Sequence, residues 1–194
     1  MEDYFKPYEK WAQKKGFQFG CSASQEVLFP TYGSDPVLNH KFFYLQHQDL
    51  LFWASDSYAV KFGMNSTYSG LYCRKKLPVP DFHCRISRRF FLDFLVGGKR
   101  DKLGIPEIDK RVKLHTNHRG YARRMVTTSL VSNYLQLPKA LSPVDVIMNA
   151  DYIPRFAGHE HEQLSGLETN RWYTVEELDL YWDRLEKFIR QIIS

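Results

Sequence analysis

Twelve of the 27 lysines and arginines fall between residues 85 and 124, where four carboxylates offset them. This stretch holds the strongest candidates for chemistry in the chain. Arg111, Lys113 and His115 alternate, as side chains on one strand face do, and Arg119 and Arg123 stand four apart, as on one helix face. A guanidinium forks onto paired oxygens and an ammonium acts as a point charge, so such a set suits phosphate or carboxylate groups. Arg111, Lys113, His115, Arg119 and Arg123 are therefore the expected anion-binding residues. Residues 1–84 are nearly neutral, and residues 125–194 carry ten carboxylates against six cations. The competing reading is a solvated face whose cations pair with that acidic C-terminal part.

Other reactive side chains have weaker patterns. His159-Glu160-His161-Glu162 offers two imidazoles two residues apart, but no third ligand stands at metal-site spacing. His115 and His118 straddle an expected strand-to-helix junction and need not converge. His83 and Cys84 are strand neighbours, which point to opposite faces and do not form a dyad. Gly97-Gly98-Lys99-Arg100 lacks the spacing and the following Ser or Thr of a phosphate loop, and no nucleophile elbow or dinucleotide fingerprint occurs. Cys21, Cys73 and Cys84 form no Cys-x-x-Cys pair and read as reduced, buried structural thiols, without a disulfide. No catalytic residue, metal ligand set or cofactor is expected.

The elements that must position the basic residues come next. The chain has 194 residues, 43% hydrophobic and 15% aromatic, a size and composition that predict one globular domain over residues 1–194. No run of 18 apolar residues occurs, and the opening MEDYFKPYEKW has no apolar core, so neither a membrane span nor a signal peptide is expected and the cytoplasm is the expected location. Tyr4, Tyr8 and Trp11 predict a helix over 3–15, stopped at Gly16. Residues 17–84 alternate and predict strands, with His40–His47 and Leu50–Ala54 joined as a hairpin through Gln48-Asp49. Further strands are expected at Tyr58–Phe62, Ser69–Leu77 and Phe82–Ile86, with Asn65-Ser66 as a turn. A short helix is expected at Arg88–Val96.

Ile108–His115 reads as a strand with Ile108, Val112 and Leu114 inward. Two helices follow, the first capped by Thr116 or Asn117 and the second started by Thr127 or Thr128 and ended by Pro138. Val144–Tyr152 reads as a strand and 157–170 as a polar loop. Thr174 and Glu177 form a capping box before a helix with one apolar stripe from Leu178 to Ile192. The density of Phe42, Phe43, Tyr44, Phe52 and Trp53 is simplest as a sheet covered by helices on each side. The expected fold is α+β, an antiparallel sheet of about six or seven strands packed by N-terminal, central and C-terminal helices.

The stretch from Ile105 to Tyr152 resembles an uncharacterised bacterial domain family whose members run strand, short Ala-containing helix, Leu/Thr turn, helix, strand. Many of those proteins carry upstream membrane helices, and none is expected here. The resemblance implies a fold style and a bacterial origin, and it transfers no activity or site. The leading expectation is a non-enzymatic binding module whose basic stretch engages an acidic protein, an anionic lipid or another anion. One alternative is an enzyme with a pocket between sheet and helices, using the His-bearing segments. Another is a nucleic-acid-binding protein, ranked lower because no nucleic-acid motif is present.

Overall fold

The computed structural model describes residues 4–28, 36–59, 64–74, 79, 81–89, 101–148 and 164–193. Helix α1 (Lys6–Lys15) begins with Pro7 in its first turn, where a missing N–H costs little, and Trp11 and Ala12 are buried. Gly16 ends it at φ 72°, and the Phe17 N–H closes back onto Ala12 O at 2.8 Å. Four long strands follow: β1 (Gln18–Leu28), β2 (Pro36–His47), β3 (Leu50–Ala59) and β4 (Met64–Arg74). The β2–β3 hairpin turns through Gln48 and Asp49, as the sequence predicts, with Gln48 at φ 56°.

After these come β5 (Cys84–Arg88), the one-turn α2 (Pro106–Asp109), β6 (Val112–Thr116), α3 (Arg119–Met125), α4 (Thr128–Leu135), β7 (Asp145–Met148), β8 (Leu164–Thr169) and α5 (Val175–Ile193). The strands make one sheet in the order β1-β2-β3-β4-β8-β7-β5-β6, with every neighbouring pair antiparallel. The fold is α+β, with eight strands among the described residues, more than the six or seven expected.

The helices pack on one sheet face. Phe43, Leu45, Phe52, Leu71, Ile86, Val112 and Leu114 join Trp11, Tyr121, Tyr134, Trp182 and Phe188 in a single apolar cluster. Among the described residues no helix packs on the opposite face, so the expectation of helices on each side is not met. That face has its own buried cluster of Phe42, Leu51, Trp53, Tyr72 and Leu164, flanked by Tyr44 and Tyr68. Phe42 stacks on Trp53 at 4.5 Å.

Several boundaries differ from the sequence reading. Tyr58 and Ala59 finish β3, and Asn65-Ser66 lie inside β4 opposite Tyr58 and Ser57 instead of forming a turn. Ile108 is in α2, not in a strand. Ile108 and Val112 are four apart, which fits one helical turn as well as two steps of alternation. Asp109 settles the choice, because its carboxylate accepts the Leu103 and Gly104 N–H groups at 2.9 and 3.0 Å and closes a turn. Thr127 caps α4 as expected, through Leu130 N–H. The first cap is neither Thr116 nor Asn117. Both tie back to residues 81–83, and His118 caps α3 in their place.

The largest correction is β8. Its polar sequence LSGLET reads as loop, yet it is a fully buried central strand between β4 and β7. The expected helix at Arg88–Val96 lies outside the described residues beyond Arg89, as do His159–Glu162 and Gly97–Arg100.

Candidate functional site

The basic stretch divides into two groups. Arg85, Arg88 and Arg89 are structural. Arg88 donates to the carbonyls of Tyr134 and Leu137 at 3.2 and 2.8 Å and lies over the Tyr134 ring. It thereby satisfies carbonyls at the C-terminal end of α4, where a cation also complements the helix dipole. Arg89 does the same after α2, on the carbonyls of Asp109 and Lys110. Arg85 is drawn into a carboxylate cluster described below.

The second group stays outside. Lys102, Lys110, Arg111, Arg119, Arg123 and Arg124 are exposed. Arg111 donates to Ser132 Oγ at 3.1 Å, and Arg124 lies over the Tyr121 ring. Among the described residues none of these six forms an ion pair. Two local carboxylates are committed to backbone: Asp101 accepts the Thr116 N–H and Asp109 the Leu103 and Gly104 N–H groups, while Glu107 is exposed on α2. Three carboxylates of α5 are committed to other cations. Asp179 pairs with Lys15, Glu177 with Arg171, and Glu186 with Arg190. Among the described residues, Arg111 and Arg123 do not pair with C-terminal carboxylates.

The five expected anion-binding residues do not share one face. Arg111 sits in the turn before β6. Lys113 and His115 project from β6 opposite Ser87 and Arg85, on the sheet face away from the helices. Arg119 and Arg123 are on α3, whose Tyr121 and Ala122 pack with Val112 and Leu114 on the helical face. Strand β6 itself spans about 13 Å at about 3.3 Å per residue. The structure thus brings Arg119 and Arg123 together on one short helix and spreads Lys102, Lys110 and Arg111 along the same end of the sheet. It places Lys113 and His115 behind them.

The opposite face holds a cluster that sequence reasoning missed. Glu168 on β8 is buried, and Tyr72 on β4 donates its hydroxyl to Glu168 Oε2 at 3.1 Å. Arg85 on β5 contacts Asp145 Oδ2 at 2.7 Å and lies 3.6 Å from Glu168 Oε1. Two carboxylates therefore share one guanidinium. Burial pushes the Glu168 carboxyl above the usual carboxylate range, opposed by the charge of Arg85. Burial also raises the Tyr72 phenol well above its ordinary value, so it acts as a neutral donor. The available signal was the alternation of Leu164, Gly166 and Glu168 on one side, hidden because a polar hexapeptide between Gln163 and Asn170 has loop composition.

A raised folded-state pKa means that the folded protein holds this proton more tightly than the unfolded chain. The contribution is fully present below the ordinary glutamate range and is lost as pH rises through the raised value. Glu168→Gln removes this titration while leaving Arg85 paired with Asp145. Melting temperatures of both proteins from pH 4 to 8 are expected to show wild type losing ground to Glu168→Gln as pH rises. Parallel curves would show that Glu168 ionises as freely in the fold as in the unfolded chain.

The remaining reactive groups are placed for packing. Burial pushes the Cys84 thiol up to about 12, and the buried Cys73 lies against the Asp49 carboxylate at 3.1 Å, whereas Cys21 on β1 is exposed and not buried as expected. His83 is half-buried and His115 and His118 are exposed, so none of the three enters the apolar space between sheet and helices. Among the described residues no group of three His, Cys, Asp or Glu is placed to hold a metal ion. No described helix is long and apolar enough to cross a membrane.

Among the described residues, fold and site together define an antiparallel α+β sheet protein with helices on one face and a basic rim without ion pairs beside its β6 edge. No family model, curated protein or solved structure matches the chain.

Proposed function

We propose that this protein is a binding module for an extended anionic partner, engaged through Lys102, Lys110, Arg111, Arg119 and Arg123. One observation carries the reading: these cations are exposed without an ion pair among the described residues, while the neighbouring carboxylates of Asp101 and Asp109 are held by backbone N–H groups. Cations gathered at one end of a sheet attract anions at long range and hold them by displacing counterions. Their spread along a strand length suits oxygens in series, as on an acidic protein segment, better than one small phosphate. Single-stranded nucleic acid fits poorly, because base stacking needs exposed aromatics. The exposed large apolar residues described are Tyr4 and Leu180, neither of them on the rim. Buried thiols at Cys73 and Cys84 suit a reducing, cytoplasmic setting.

The test is titration with polyglutamate, with phosphatidylserine vesicles and duplex DNA as comparison probes, over a range of salt. Polyglutamate is expected to bind with an affinity that falls steadily as salt rises. Arg119→Glu with Arg123→Glu is expected to weaken it at least tenfold at low salt and to flatten the salt dependence. Both side chains are exposed, so stability is expected to stay within about 0.5 kcal/mol of wild type for each substitution. Equal binding by the double variant would overturn the assignment.

A further inference from the structure

Strand β6 lies at the end of the sheet, and among the described residues Asp101 is the only one bridged to its outer side. The Asp101 N–H donates to Leu114 O at 2.9 Å, and the Asp101 carboxylate accepts the Thr116 N–H at 2.9 Å. Alternate residues of a strand direct their backbone groups to the same side. Those of Val112, Leu114 and Thr116 therefore point outward, and those of Lys113 and His115 point toward β5. Asp101 does what one residue of an added strand would do, and its carboxylate makes a charge-assisted bond to the edge. The segment that carries it is anchored just behind. Leu103 is buried in the apolar cluster, and Asp109 holds the Leu103 and Gly104 N–H groups. Asp101 can leave the edge while Leu103 stays in place.

We propose that the outer side of β6 is the docking edge for an acidic peptide, which adds to the sheet as a strand, and that Asp101 is its internal stand-in, displaced on binding. This deepens the reading above and rests on it. A sheet edge recruits extended peptides through main-chain hydrogen bonds. Charge selects the peptide here. Lys110 and Arg111 precede β6, Arg119 and Arg123 follow it on α3, and Lys102 neighbours Asp101, all of them exposed. A peptide laid along β6 runs between these groups, so its carboxylates meet cations toward both ends.

At the centre of the edge the exchange is bond for bond. One backbone N–H of the peptide takes the place of the Asp101 N–H on Leu114 O, and one of its carboxylates takes the Thr116 N–H. The further carboxylates supply the net attraction. An uncharged peptide would leave Thr116 without its carboxylate and gain nothing from the rim. Asp101 is thus an autoinhibitory contact that an acidic strand overcomes and a neutral one does not.

The experiment uses the full chain and two polymers with the same charged group, α-linked polyaspartate and polyacrylate. Only polyaspartate has backbone N–H groups to give to Leu114 O. Two readouts are taken at fixed salt: hydrogen exchange of the Asp101 amide in wild type, and the affinity of wild type and Asp101→Ala for each polymer. The Asp101 amide is expected to be protected in the free protein, to lose protection under saturating polyaspartate and to keep it under saturating polyacrylate. Asp101→Ala removes the competing carboxylate and is expected to bind polyaspartate about fivefold tighter, the worth of one hydrogen bond. Its affinity for polyacrylate is expected to rise only about twofold, through the lost negative charge alone. The exchange readout needs no substitution, so it stands even if Asp101→Ala folds poorly.

Continued protection of the Asp101 amide with polyaspartate bound would overturn strand addition and leave the proposed function standing. Equal loss of protection with both polymers would overturn it too, since polyacrylate has no strand to add. Equal affinity gains for the two polymers in Asp101→Ala would reduce Asp101 to one more rim charge and overturn its role as stand-in. Absence of binding by either polymer would sink the proposed function and the docking edge together.

Discussion

Ending the chain at Asn170 is expected to leave a polypeptide that does not fold cooperatively. The lost segment contains all of α5, and Leu178, Trp182, Leu185, Phe188, Ile189 and Ile192 on it are buried. Each such burial stabilises by roughly 1.5–3 kcal/mol. Six of them together match or exceed the roughly 5–15 kcal/mol that holds an ordinary domain folded. The loss would also strip α1. Trp182 lies 5.5 Å from Trp11 and 4.8 Å from Phe17, and Asp179 accepts the Trp11 indole N–H and pairs with Lys15. Thermal unfolding followed by circular dichroism checks this. A sharp transition at the full-chain temperature would show α5 to be an appendage.

Gly166→Ala is expected to be the most damaging single methyl that can be added to the sheet. A Cβ there would lie 2.1 Å from Leu71 O and 2.7 Å from Tyr72 Cα. These are backbone atoms of β4, the neighbouring strand, and they cannot rotate aside as a side chain can. Overpacking in a core costs about 1–3 kcal/mol, occasionally more, and a main-chain obstacle places this site at the upper end. A loss near 3 kcal/mol corresponds to a melting temperature lower by about 6–12 °C at this chain length. A shift below about 2 °C would mean that β4 and β8 separate without cost. In that case Gly166 would not explain why β8 sits so close to β4.

The predicted helices at both ends of the chain are present because their signals are local. The Thr174 hydroxyl and Glu177 carboxylate reach one another's backbone N–H across a single turn, at 3.3 and 3.0 Å. Gly16 needs only its own left-handed backbone, and the β2–β3 hairpin only the two residues between its strands. Strand β8 depended on distant residues. Leu164–Thr169 becomes a strand because β4 and β7 supply its backbone partners and because Tyr72 and Arg85, 96 and 83 residues away, meet the Glu168 carboxylate. Composition cannot register a partner so far along the chain, so a buried polar strand reads as a loop.

The candidate site divides along the same line. The clustering of twelve cations within 40 residues is a property of the sequence, as is the helical spacing of Arg119 and Arg123. Which cations remain available was a tertiary outcome. Arg88 and Arg89 cap helix ends by reaching carbonyls that are distant in sequence, and Arg85 is held between Asp145 and Glu168. Alternation correctly puts Lys113 and His115 on one side of β6, but alternation cannot tell which side the following helix will cover. By itself the sequence determined the α+β class, the end helices, the hairpin and the charge excess, because these follow from neighbours within a few residues. The position of β8, the buried Glu168 cluster and the splitting of the basic stretch across two sheet faces were decided only by the packed sheet. There, long-range pairing and desolvation choose among local options of nearly equal energy.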